Sequence, residues 1–376
     1  MKINVISAFG DPRSHSTWSG TTKNISAALE KIDSLEGAYE ASENNFTFKV
    51  LKQACRLWYK LRFYKGKKQM MMPFRFGVWR HLSAYSGSIF LKEAKYKNLL
   101  HFSTLSLPES KMISFENHNH FCVIDATWNL WEKNSTNIGL ISKSSQKVIE
   151  KLEKQSFEQV KHIFSISEYV KHNLINHYKI PEAKITVVGT GTGIITPYYG
   201  SKDYSNGKIL FVAKGRFEDK GGPIVLEAFD LLLKKYPHLE LHIVGQNDYS
   251  AMIKHPQIST YGFIPLNELQ ELFNTCSLFI MPALHEPWGL VYIEAMLCKM
   301  PIIGLNRNAF PEISNYGKFG IGVDSPDANS IALSIDAMLS DVNKMREIGE
   351  KAQTWALEKF TWDNVAKRIM DVVKLY

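Results

Sequence analysis

The sequence predicts an α/β protein of two domains, each built around a parallel β-sheet. Its 376 residues, 45% of them apolar, are enough to form more than one buried core. Short apolar runs alternate along the chain with helical patterns, which is the order found in parallel sheets. Within the runs, apolar and polar residues alternate little, as expected of strands that are covered on both faces.

The second half of the chain shows this order most clearly. Five short apolar runs, each bounded by Gly, Pro or polar residues, are predicted as strands: 208–214, 239–245, 258–263, 277–283 and 301–306. Helical patterns lie between them at 222–235, 266–275 and 289–299. The tail, 328–376, is mostly helical. These residues therefore predict one parallel-sheet domain.

The first half repeats the pattern less regularly. Its predicted strands are 2–9, 98–104, 112–117, 162–167 and 183–190, and its predicted helices are 21–32, 47–64, 144–160 and 168–178. Ser167 is a predicted N-cap for the last of these helices. The segment 196–208 is rich in Gly, Pro and polar residues, so we interpret it as the interdomain linker. It separates a first domain, 1–196, from a second domain, 205–356.

The composition narrows the class of protein. The amino terminus, MKINVISAFG, is too short for a signal peptide core, and no apolar run approaches the length of a membrane span. The four cysteines are scattered and form no CxxC pair, which predicts reduced structural thiols in a cytoplasmic protein: Cys55, Cys122, Cys276 and Cys298.

Two glutamates, Glu286 and Glu294, flank a predicted helix start in HEPWGLVYIEAM (285–296). A helix beginning near Gly289 has free amides and a partial positive charge at its amino end, which is a ready anion site. Leu290 and Glu294 are four residues apart and share a helix face. Since carboxylates do not bind anions, the pair would accept hydrogen bonds from hydroxyls attached to the anion. A diphosphate that carries a sugar at one end and a ribose at the other fits this arrangement.

A simpler reading of the same residues is open. Glu286 would then only favour the helix dipole, and Glu294 would be a solvated glutamate on a helix surface. Short motifs of this kind occur often without a shared function.

A basic turn follows the predicted strand 208–214 in KGRFEDKGG (214–222). Arg216 and Lys220 lie at the carboxyl end of that strand, where ligands of parallel sheets bind. Arg suits bidentate contact with phosphate, and Lys acts as a point charge. The alternative is two basic residues on an exposed loop.

On these motifs the sequence resembles the retaining, nucleotide-sugar-dependent glycosyltransferases of family 4. The spacing Glu-x7-Glu at Glu286 and Glu294 is that family's signature, and FVAKGRFEDKGG looks like its Gly-Arg…Lys-Gly turn. HIVGQ (242–246) and YGFIP (261–265) match its later strand ends, although Arg216 and Lys220 are four apart where five is more usual. The resemblance covers residues 160–376 well. It implies the GT-B fold: two Rossmann-like domains facing a central cleft, with a last helix, 357–376, that crosses back onto the first domain.

The resemblance also implies roles for the motif residues. Arg216 and Lys220 would neutralise the diphosphate of the donor. Glu294 would hold its ribose hydroxyls, and Glu286 the hydroxyls of the donor sugar. The first domain would bind the acceptor, and the second would bind the nucleotide sugar.

Further contacts to the donor are implied from backbone groups. The amides of Gly289 and Leu290 would meet phosphate or sugar. The backbone of Gly262, Phe263 and Ile264 would line the nucleotide base.

The first half adds weaker candidates. DPRSHSTWSGTTKNI (11–25) resembles the glycine loop that some family members close over the donor phosphates, and Gly20 would allow a close approach. In SFENHNHFCVIDATW (114–128), Asp125 and His118 are candidates for a group beside the reacting sugar carbon, with His120 as a third.

Two other readings of the sequence concern a metal site and a dinucleotide-binding fingerprint. A metal site at these three side chains has little support, because no other ligand-type residue clusters nearby and no Asp-x-Asp occurs in a suitable loop. We therefore predict no metal and no cofactor besides the donor. VGTGTG (188–193) is not a dinucleotide fingerprint, since it lacks the third spaced Gly and is followed by residues that cannot open a helix.

The net charge of +8 is concentrated between Asn44 and Lys92, where eleven Lys or Arg occur without an acid. Within 47–64, apolar residues recur at helical spacing opposite a basic face, which favours contact of residues 47–80 with an anionic membrane surface. A surface helix packed on the first sheet explains the same pattern equally well. No nucleic-acid-binding module is recognised, so nucleic acid is not a predicted partner.

We predict a retaining, metal-independent hexosyltransferase that moves a sugar from a UDP- or GDP-sugar to a hydroxyl of a glycan or lipid-linked glycan. Surface polysaccharide assembly is the predicted role, in the cytoplasm or at the inner face of the plasma membrane. Two alternatives stay open at this stage. One is a sugar-nucleotide epimerase or hydrolase on the same fold. The other is a non-catalytic membrane- or polyanion-binding protein on an inactive transferase scaffold.

Overall fold

The structure is a computed structural model that describes residues 1–41, 96–107, 117–134, 143–245 and 253–376, with a few isolated positions between 46 and 85. The chain divides into two compact units. The first contains Met1–Gly191 together with Trp362–Tyr376, and the second contains Thr192–Thr361.

The first unit is built on a six-stranded parallel sheet. Its strands are β1 (Ile3–Ser7), β2 (Leu35–Glu40), β3 (Asn98–Phe102), β4 (Asn119–Ile124), β5 (His162–Ser165) and β6 (Ile185–Val187), in the order β2-β1-β3-β4-β5-β6. Among the described residues before the second unit, the helices of this unit are α1 (Thr21–Lys31), α2 (Trp128–Asn134), α3 (Lys143–Gln159) and α4 (Glu168–Asn176). Ser167 caps α4 as predicted, accepting a bond from the Val170 amide at 3.1 Å.

The second unit has the same architecture. Its strands are β7 (Lys208–Val212), β8 (Glu240–Val244), β9 (Ile258–Tyr261), β10 (Leu278–Met281), β11 (Ile302–Leu305) and β12 (Gly320–Val323), in the order β12-β11-β10-β7-β8-β9. Its helices are α5 (Gly222–Leu232), α6 (Leu266–Thr275), α7 (Leu290–Leu297), α8 (Phe310–Ile313), α9 (Ala328–Leu339) and α10 (Val342–Lys359).

The strand interiors explain the weak alternation in the sequence. Every residue of β1, β3, β5, β10 and β11 is buried. Strands covered on both faces have no solvent side for polar residues, so they read as continuous apolar runs. All strand pairs of both sheets are parallel.

Each sheet has one place where the strand order reverses. In the second sheet β7 lies between β10 and β8, so the chain builds outward in one direction from β7 and in the other from β10. In the first sheet the reversal lies between β1 and β3. Loops at the carboxyl ends of the two strands at such a point separate and leave a crevice for a ligand.

The last helix belongs to the first unit. Helix α11 (Trp362–Val373) packs on α1 and buries an apolar face that includes Val365, Ile369 and Met370. An ion pair between Lys31 and Asp363 joins the two helices at their surface. The returning helix is therefore confirmed, but it begins at Trp362 and not at 357. Residues 357–359 belong to α10, which ends at Lys359 with Phe360 as its C-cap.

The segment predicted as the linker, 196–208, is part of the second unit. Lys202 is buried there, and its Nζ donates to the carbonyls of Phe273, Asn274 and Cys276 at 3.0, 2.9 and 2.6 Å. The lysine thus satisfies carbonyls at the carboxyl end of α6, where a positive charge is favoured. The linker prediction was wrong because Gly, Pro and polar residues also occur in irregular segments that pack on a core.

Three features of the sequence lie outside the described residues. They are most of the predicted strand 112–117, most of the predicted helix 47–64, and most of the basic segment 44–92, which contains that helix. In the part of the chain that the structure describes, no helix is both long and apolar enough to cross a membrane.

Candidate functional site

The carboxyl ends of β7 and β10 bring two loops together at the reversal point of the second sheet. The loop after β7 closes as a tight turn, in which the Lys220 amide donates to the Arg216 carbonyl at 2.9 Å. Gly221 caps α5 with φ +85°, and a Cβ there would lie 2.4 Å from the carbonyl oxygen of Pro282. Glycine is needed at this position because the loop after β7 touches the backbone after β10.

A cluster of two cations and one carboxylate forms where these loops meet. Arg216 Nη2 lies 3.0 Å from Glu286 Oε2, and Lys220 Nζ donates to the same oxygen. Lys220 is 5% exposed, and its ammonium also lies 3.4 Å from Met281 Sδ. The spacing of four residues between Arg216 and Lys220 therefore places both side chains on Glu286.

The opposite charges of this cluster stabilise one another in their ionised forms. Burial alone raises the pKa of Glu286, but Lys220 and then Arg216 outweigh it and keep the pKa below its ordinary value. Burial lowers the pKa of Lys220, while the Glu286 carboxylate opposes that shift. With one carboxylate between two cations, the three side chains carry a net charge of +1, which suits an anionic ligand.

Helix α7 begins beside this cluster, as the sequence predicts. Gly289 is its N-cap with φ +94°, and a Cβ there would lie 2.7 Å from the Tyr292 ring and 3.2 Å from Glu286 Cγ. Gly289 has no side chain with which to cap the helix, so the first amides, starting at Leu290, are not capped by that residue. Glu286 and the amino end of α7 are thus close neighbours.

Glu294 projects from the same helix and is buried, with 8% of its surface exposed. Burial raises the pKa of this carboxyl group above its ordinary value, against the opposing effects of the Ile194 amide and of Lys214. The Ile194 amide donates to Glu294 Oε1 at 2.8 Å. The carboxylate is therefore anchored by backbone and not solvated, which rules out the reading of Glu294 as a surface helix residue.

The predicted base-lining residues lie at the edge of the same sheet. Gly262, Phe263 and Ile264 follow β9, which is the edge strand beside β8. A Cβ on Gly262 would meet nothing within 4 Å, and the Phe263 side chain is 85% exposed. These residues stand two strands away from β7, at the carboxyl edge that also carries Arg216.

In the first unit, Gly20 follows β1 at the reversal point of that sheet. Trp18, Ser19 and Gly20 all have positive φ, at +51°, +53° and +84°, directly before α1. Two consecutive non-glycine residues in this region are rare, and such strain is concentrated at functional loops. The Trp18 ring packs edge-on against Phe102 at 6.2 Å, which holds the turn to β3.

The structure does not bring the three candidates of β4 together. Asp125 directly follows the carboxyl end of β4, whereas His118 precedes the strand and His120 is its second residue. At about 3.3 Å per residue, His118 and Asp125 are roughly 20 Å apart. His118 Nδ1 lies 2.5 Å from the Tyr96 carbonyl oxygen, at the end of the sheet opposite to the ligand-binding edge.

His120 belongs to a buried cluster. Its Nδ1 lies 3.0 Å from His101 Nε2, and the other ring nitrogen of His101 lies 2.9 Å from Ser106 Oγ. Burial first, then His118 and Lys161, lower the pKa of His120 to about 3. His101 and His120 are therefore buried side chains that pack on each other, and His118 lies at the same end of β4. Of the three candidates, the structure places Asp125 alone at the carboxyl end of the strand.

The helix that follows Asp125 is capped from within the protein. The buried Glu153 carboxylate accepts from the Trp128 amide at 2.8 Å, and Thr127 Oγ1 accepts from the Leu130 amide at 3.2 Å. The amino end of α2 thus has internal acceptors for its amides. The amino end of α7 differs because its N-cap is glycine.

Three residues of the site were not found in the sequence. Lys214 precedes Gly215 with φ +50°, and its charge acts on both Glu294 and Lys220. Gly193 and Ile194 contact Glu294 although they lie about a hundred residues earlier. Two features of the sequence could have indicated these residues: the lysine before the Gly-Arg pair, and the glycines of VGTGTG. Among the described residues, no group of three or more His, Cys, Asp or Glu side chains is placed to hold a metal ion.

Comparisons with known proteins show similarity to glycosyltransferases. Residues 200–355 match the family described as glycosyl transferases group 1. An uncharacterised glycosyltransferase of Methanocaldococcus jannaschii is 24% identical over 285 residues, which are 69% of this chain and 71% of that protein. A GDP-mannose-dependent α-(1-6)-phosphatidylinositol monomannoside mannosyltransferase of Mycolicibacterium smegmatis is 26% identical over 170 residues, 41% of this chain and 44% of that protein.

The fold has relatives among solved structures. The sucrose-phosphate synthase of Thermosynechococcus elongatus matches 100% of this chain and 99% of its own with a TM-score of 0.73, at 14% identity. At that identity the likeness concerns the fold, which is GT-B, with two Rossmann-like parallel-sheet units. The family match contains the cation cluster and α7. The chain therefore has the GT-B fold, and residues 200–355 of its second unit match the group 1 glycosyl transferases.

Proposed function

We propose that the protein is a retaining hexosyltransferase that moves a sugar from a UDP- or GDP-sugar to a hydroxyl of a glycan or lipid-linked glycan. The observation that carries the proposal is the placement of Arg216, Lys220 and Glu286 at the reversal point of the second sheet, beside the glycine-capped end of α7. Cations, free amides and a carboxylate in one place suit an anion that carries hydroxyl groups.

The diphosphate is proposed to bind between the cations and the amino end of α7. Arg216 and Lys220 stabilise the negative charge that builds on the leaving diphosphate, together with the amides beginning at Gly289 and Leu290. Buried charges act strongly here because little water screens them, and Lys220 is 5% exposed. Since these groups supply the positive charge, the proposed reaction uses no metal and no further cofactor.

The two glutamates are proposed to hold the hydroxyl groups of the donor. Glu286 is ionised and accepts from the hydroxyls of the transferred sugar, and Glu294 accepts from the ribose. Gly262, Phe263 and Ile264 line the base at the edge of the sheet. A glutamate at each end of the diphosphate sets the direction in which the donor lies.

The first unit is proposed to bind the acceptor. Asp125 is the candidate that stands at the carboxyl edge of its sheet, and Gly20 allows close approach of the loop after β1. The mycobacterial relative is named for a GDP-mannose donor and a phosphatidylinositol mannoside acceptor, which supports a nucleotide sugar and a lipid-linked glycan. We place the reaction in surface polysaccharide assembly in the cytoplasm, with residues 47–80 at an anionic membrane surface.

Ligand screening followed by product analysis tests the proposal. UDP, GDP and ADP are compared by thermal shift, because a ligand that binds the native state raises the unfolding temperature by mass action. The sugar nucleotides of the stabilising base are then incubated with glycan acceptors, and the anomeric configuration of the product is read by NMR. Retention of configuration supports the proposal. Free sugar or an epimer formed without acceptor identifies a hydrolase or epimerase, and absence of any turnover on all donors identifies an inactive scaffold.

A further inference from the structure

The run VGTGTG (188–193) packs differently at its last two glycines. A Cβ on Gly191 would lie 2.4 Å from the Trp362 ring in the first unit. A Cβ on Gly193 would lie 2.0 Å from Glu294 Oε1 in the second unit. The division between the units falls between these two residues, after Gly191.

The contact at Gly193 involves the whole carboxyl group of Glu294. The same Cβ would lie 2.7 Å from Glu294 Cδ, a distance that Cβ atoms essentially never show, and 3.2 Å from Cγ, which is tighter than most real contacts. Glu294 cannot withdraw easily, because all residues of α7 from Val291 to Leu297 are buried. In a close-packed interior, an added methyl group displaces its neighbours. Glycine at 193 is thus a condition for the observed position of the carboxylate.

The residues after Gly193 hold the carboxylate by hydrogen bonds. The Ile194 amide donates to Glu294 Oε1 at 2.8 Å, and the Ile195 amide also favours the ionised form. These amides oppose the effect of burial, which disfavours the charge. A carboxylate has about four acceptor positions. Two backbone donors therefore leave acceptor capacity for ligand hydroxyls while they set the orientation of the group.

We propose that Gly193 and Ile194 are positioning residues that fix the Glu294 carboxylate for the ribose hydroxyls of the donor. The inference rests on the proposed function, in which Glu294 binds the ribose. Gly193 leaves the space for the carboxylate because it has no side chain. Ile194 contributes its backbone amide, and the Ile194 side chain takes no part. The carboxylate is ordered before the donor arrives, so little rotamer entropy is lost when ribose binds.

The test compares ligands with and without ribose hydroxyls. UDP and GDP, each against its 2′,3′-dideoxy form, are titrated by calorimetry into the wild type and into Gly193→Ala. We expect the wild type to prefer one ribonucleotide over its dideoxy form by at least about tenfold, the effect of a hydrogen bond to a charged group. Gly193→Ala should lose this preference while it binds the dideoxy form as the wild type does. In turnover, KM for the donor should rise more than kcat falls.

Matched variants separate positioning from general damage. Gly200→Ala is the control, because its Cβ would meet only the end of the Tyr198 side chain in an irregular segment of the same unit. It should keep the ribose preference. Combining Gly193→Ala with Glu294→Asp shortens the carboxylate arm by one methylene and relieves the clash, so part of the ribose preference should return.

The outcomes distinguish the inference from the function on which it rests. If the wild type binds neither nucleotide, or shows no ribose preference, the proposed function of this site fails. If the wild type shows the preference and Gly193→Ala keeps it, the positioning role is refuted. If Gly193→Ala loses binding of the dideoxy form as well, the substitution disrupts the site as a whole and the specific role for ribose is likewise refuted.

Discussion

Lys220 is the residue at which burial and charge conflict most directly. A lysine that is 5% exposed loses most of its hydration. Its burial is tolerated because the Glu286 carboxylate accepts a hydrogen bond from the Lys220 ammonium group. Arg216 reaches the same oxygen from a side chain that is 44% exposed. Removing one partner of a buried ion pair leaves the other unpaired, which costs more than the pair contributes. The two cations of the cluster should therefore respond differently to substitution.

We expect Lys220→Met to damage the protein more than Arg216→Met. Lys220→Met should reduce kcat/KM by about 10- to 150-fold, the equivalent of one charged hydrogen bond, and should lower the unfolding temperature. Arg216→Met should reduce kcat/KM with little change in stability, because its charge is partly solvated. Steady-state kinetics and thermal unfolding of both variants provide the comparison. Unchanged turnover in Lys220→Met would show that the leaving-group role is wrong.

Glu286→Gln tests the role of the carboxylate with its shape retained. The amide oxygen still accepts from Lys220, but the negative charge toward the sugar hydroxyls is lost. We expect kcat to fall by about 10- to 150-fold while the affinity for UDP or GDP changes by only a few fold. Initial rates and nucleotide titrations measure the two effects. Equal loss of rate and of nucleotide affinity would place Glu286 on the nucleotide and not on the sugar.

Among the elements, β4 shows how a strand separates residues that are neighbours in sequence. Asp125 leaves the sheet at its carboxyl edge, while His118 and His120 stay at the amino end. There the rings of His120 and His101 stack with their centroids 5.2 Å apart. Both residues are buried, with 1% and 0% of their surface exposed. A histidine cluster that must stay neutral in the folded state makes stability depend on pH.

We expect the first unit to lose stability as the pH falls from 6.5 toward 4. The folded pKa of His120 is about 3, below the usual value of 6.5, so the unfolded chain binds more protons between these values. The free energy of unfolding then decreases with decreasing pH, by about 2 kcal/mol between pH 7.5 and pH 5 for this histidine. His120→Asn should show a smaller decrease. Urea denaturation at pH 7.5, 6 and 5 measures both proteins, and identical pH profiles would contradict the explanation.

In the whole molecule, the two units share one feature of topology: the loops with unusual backbone lie where the strand order of the sheet reverses. Each parallel sheet reverses its strand order once, and the loops with strained or glycine backbone, 18–20 and 214–221, lie at those reversals. Helix α11 is part of the first unit, since it packs on α1 across more than three hundred residues of sequence. The stability of the first unit thus depends on a helix that follows the second unit in the chain.

We expect Ile369→Ala to destabilise the first unit by about 2–5 kcal/mol, the usual cost of a large cavity in a core. Ile369 is 0% exposed on the face of α11 that packs inward. The exposed Lys367 on the same helix is the control, and Lys367→Ala should stay within about 0.5 kcal/mol of the wild type. Urea denaturation measures both variants, and calorimetric titration measures UDP and GDP binding. Equal stability of the two variants would show that α11 does not support the unit.

Local periodicity and short motifs in the sequence were sufficient for much of this protein. Buried parallel strands must be apolar throughout, so their positions and the α/β class were readable, and so was the helix start at Gly289. The motif residues Arg216, Lys220 and Glu286 could be singled out because each lies in a loop between a strand and the following helix. In these cases the physical constraint acts within a few residues of the chain.

Only the tertiary structure decided which distant residues meet. It placed the single oxygen Glu286 Oε2 against both cations, set Gly193 against Glu294, and packed the supposed linker 196–208 on the second unit. It also separated His118 from Asp125 by the length of a strand. Such pairings follow from the order of strands in a sheet and from close packing between elements, and neither leaves a periodic trace in the local sequence.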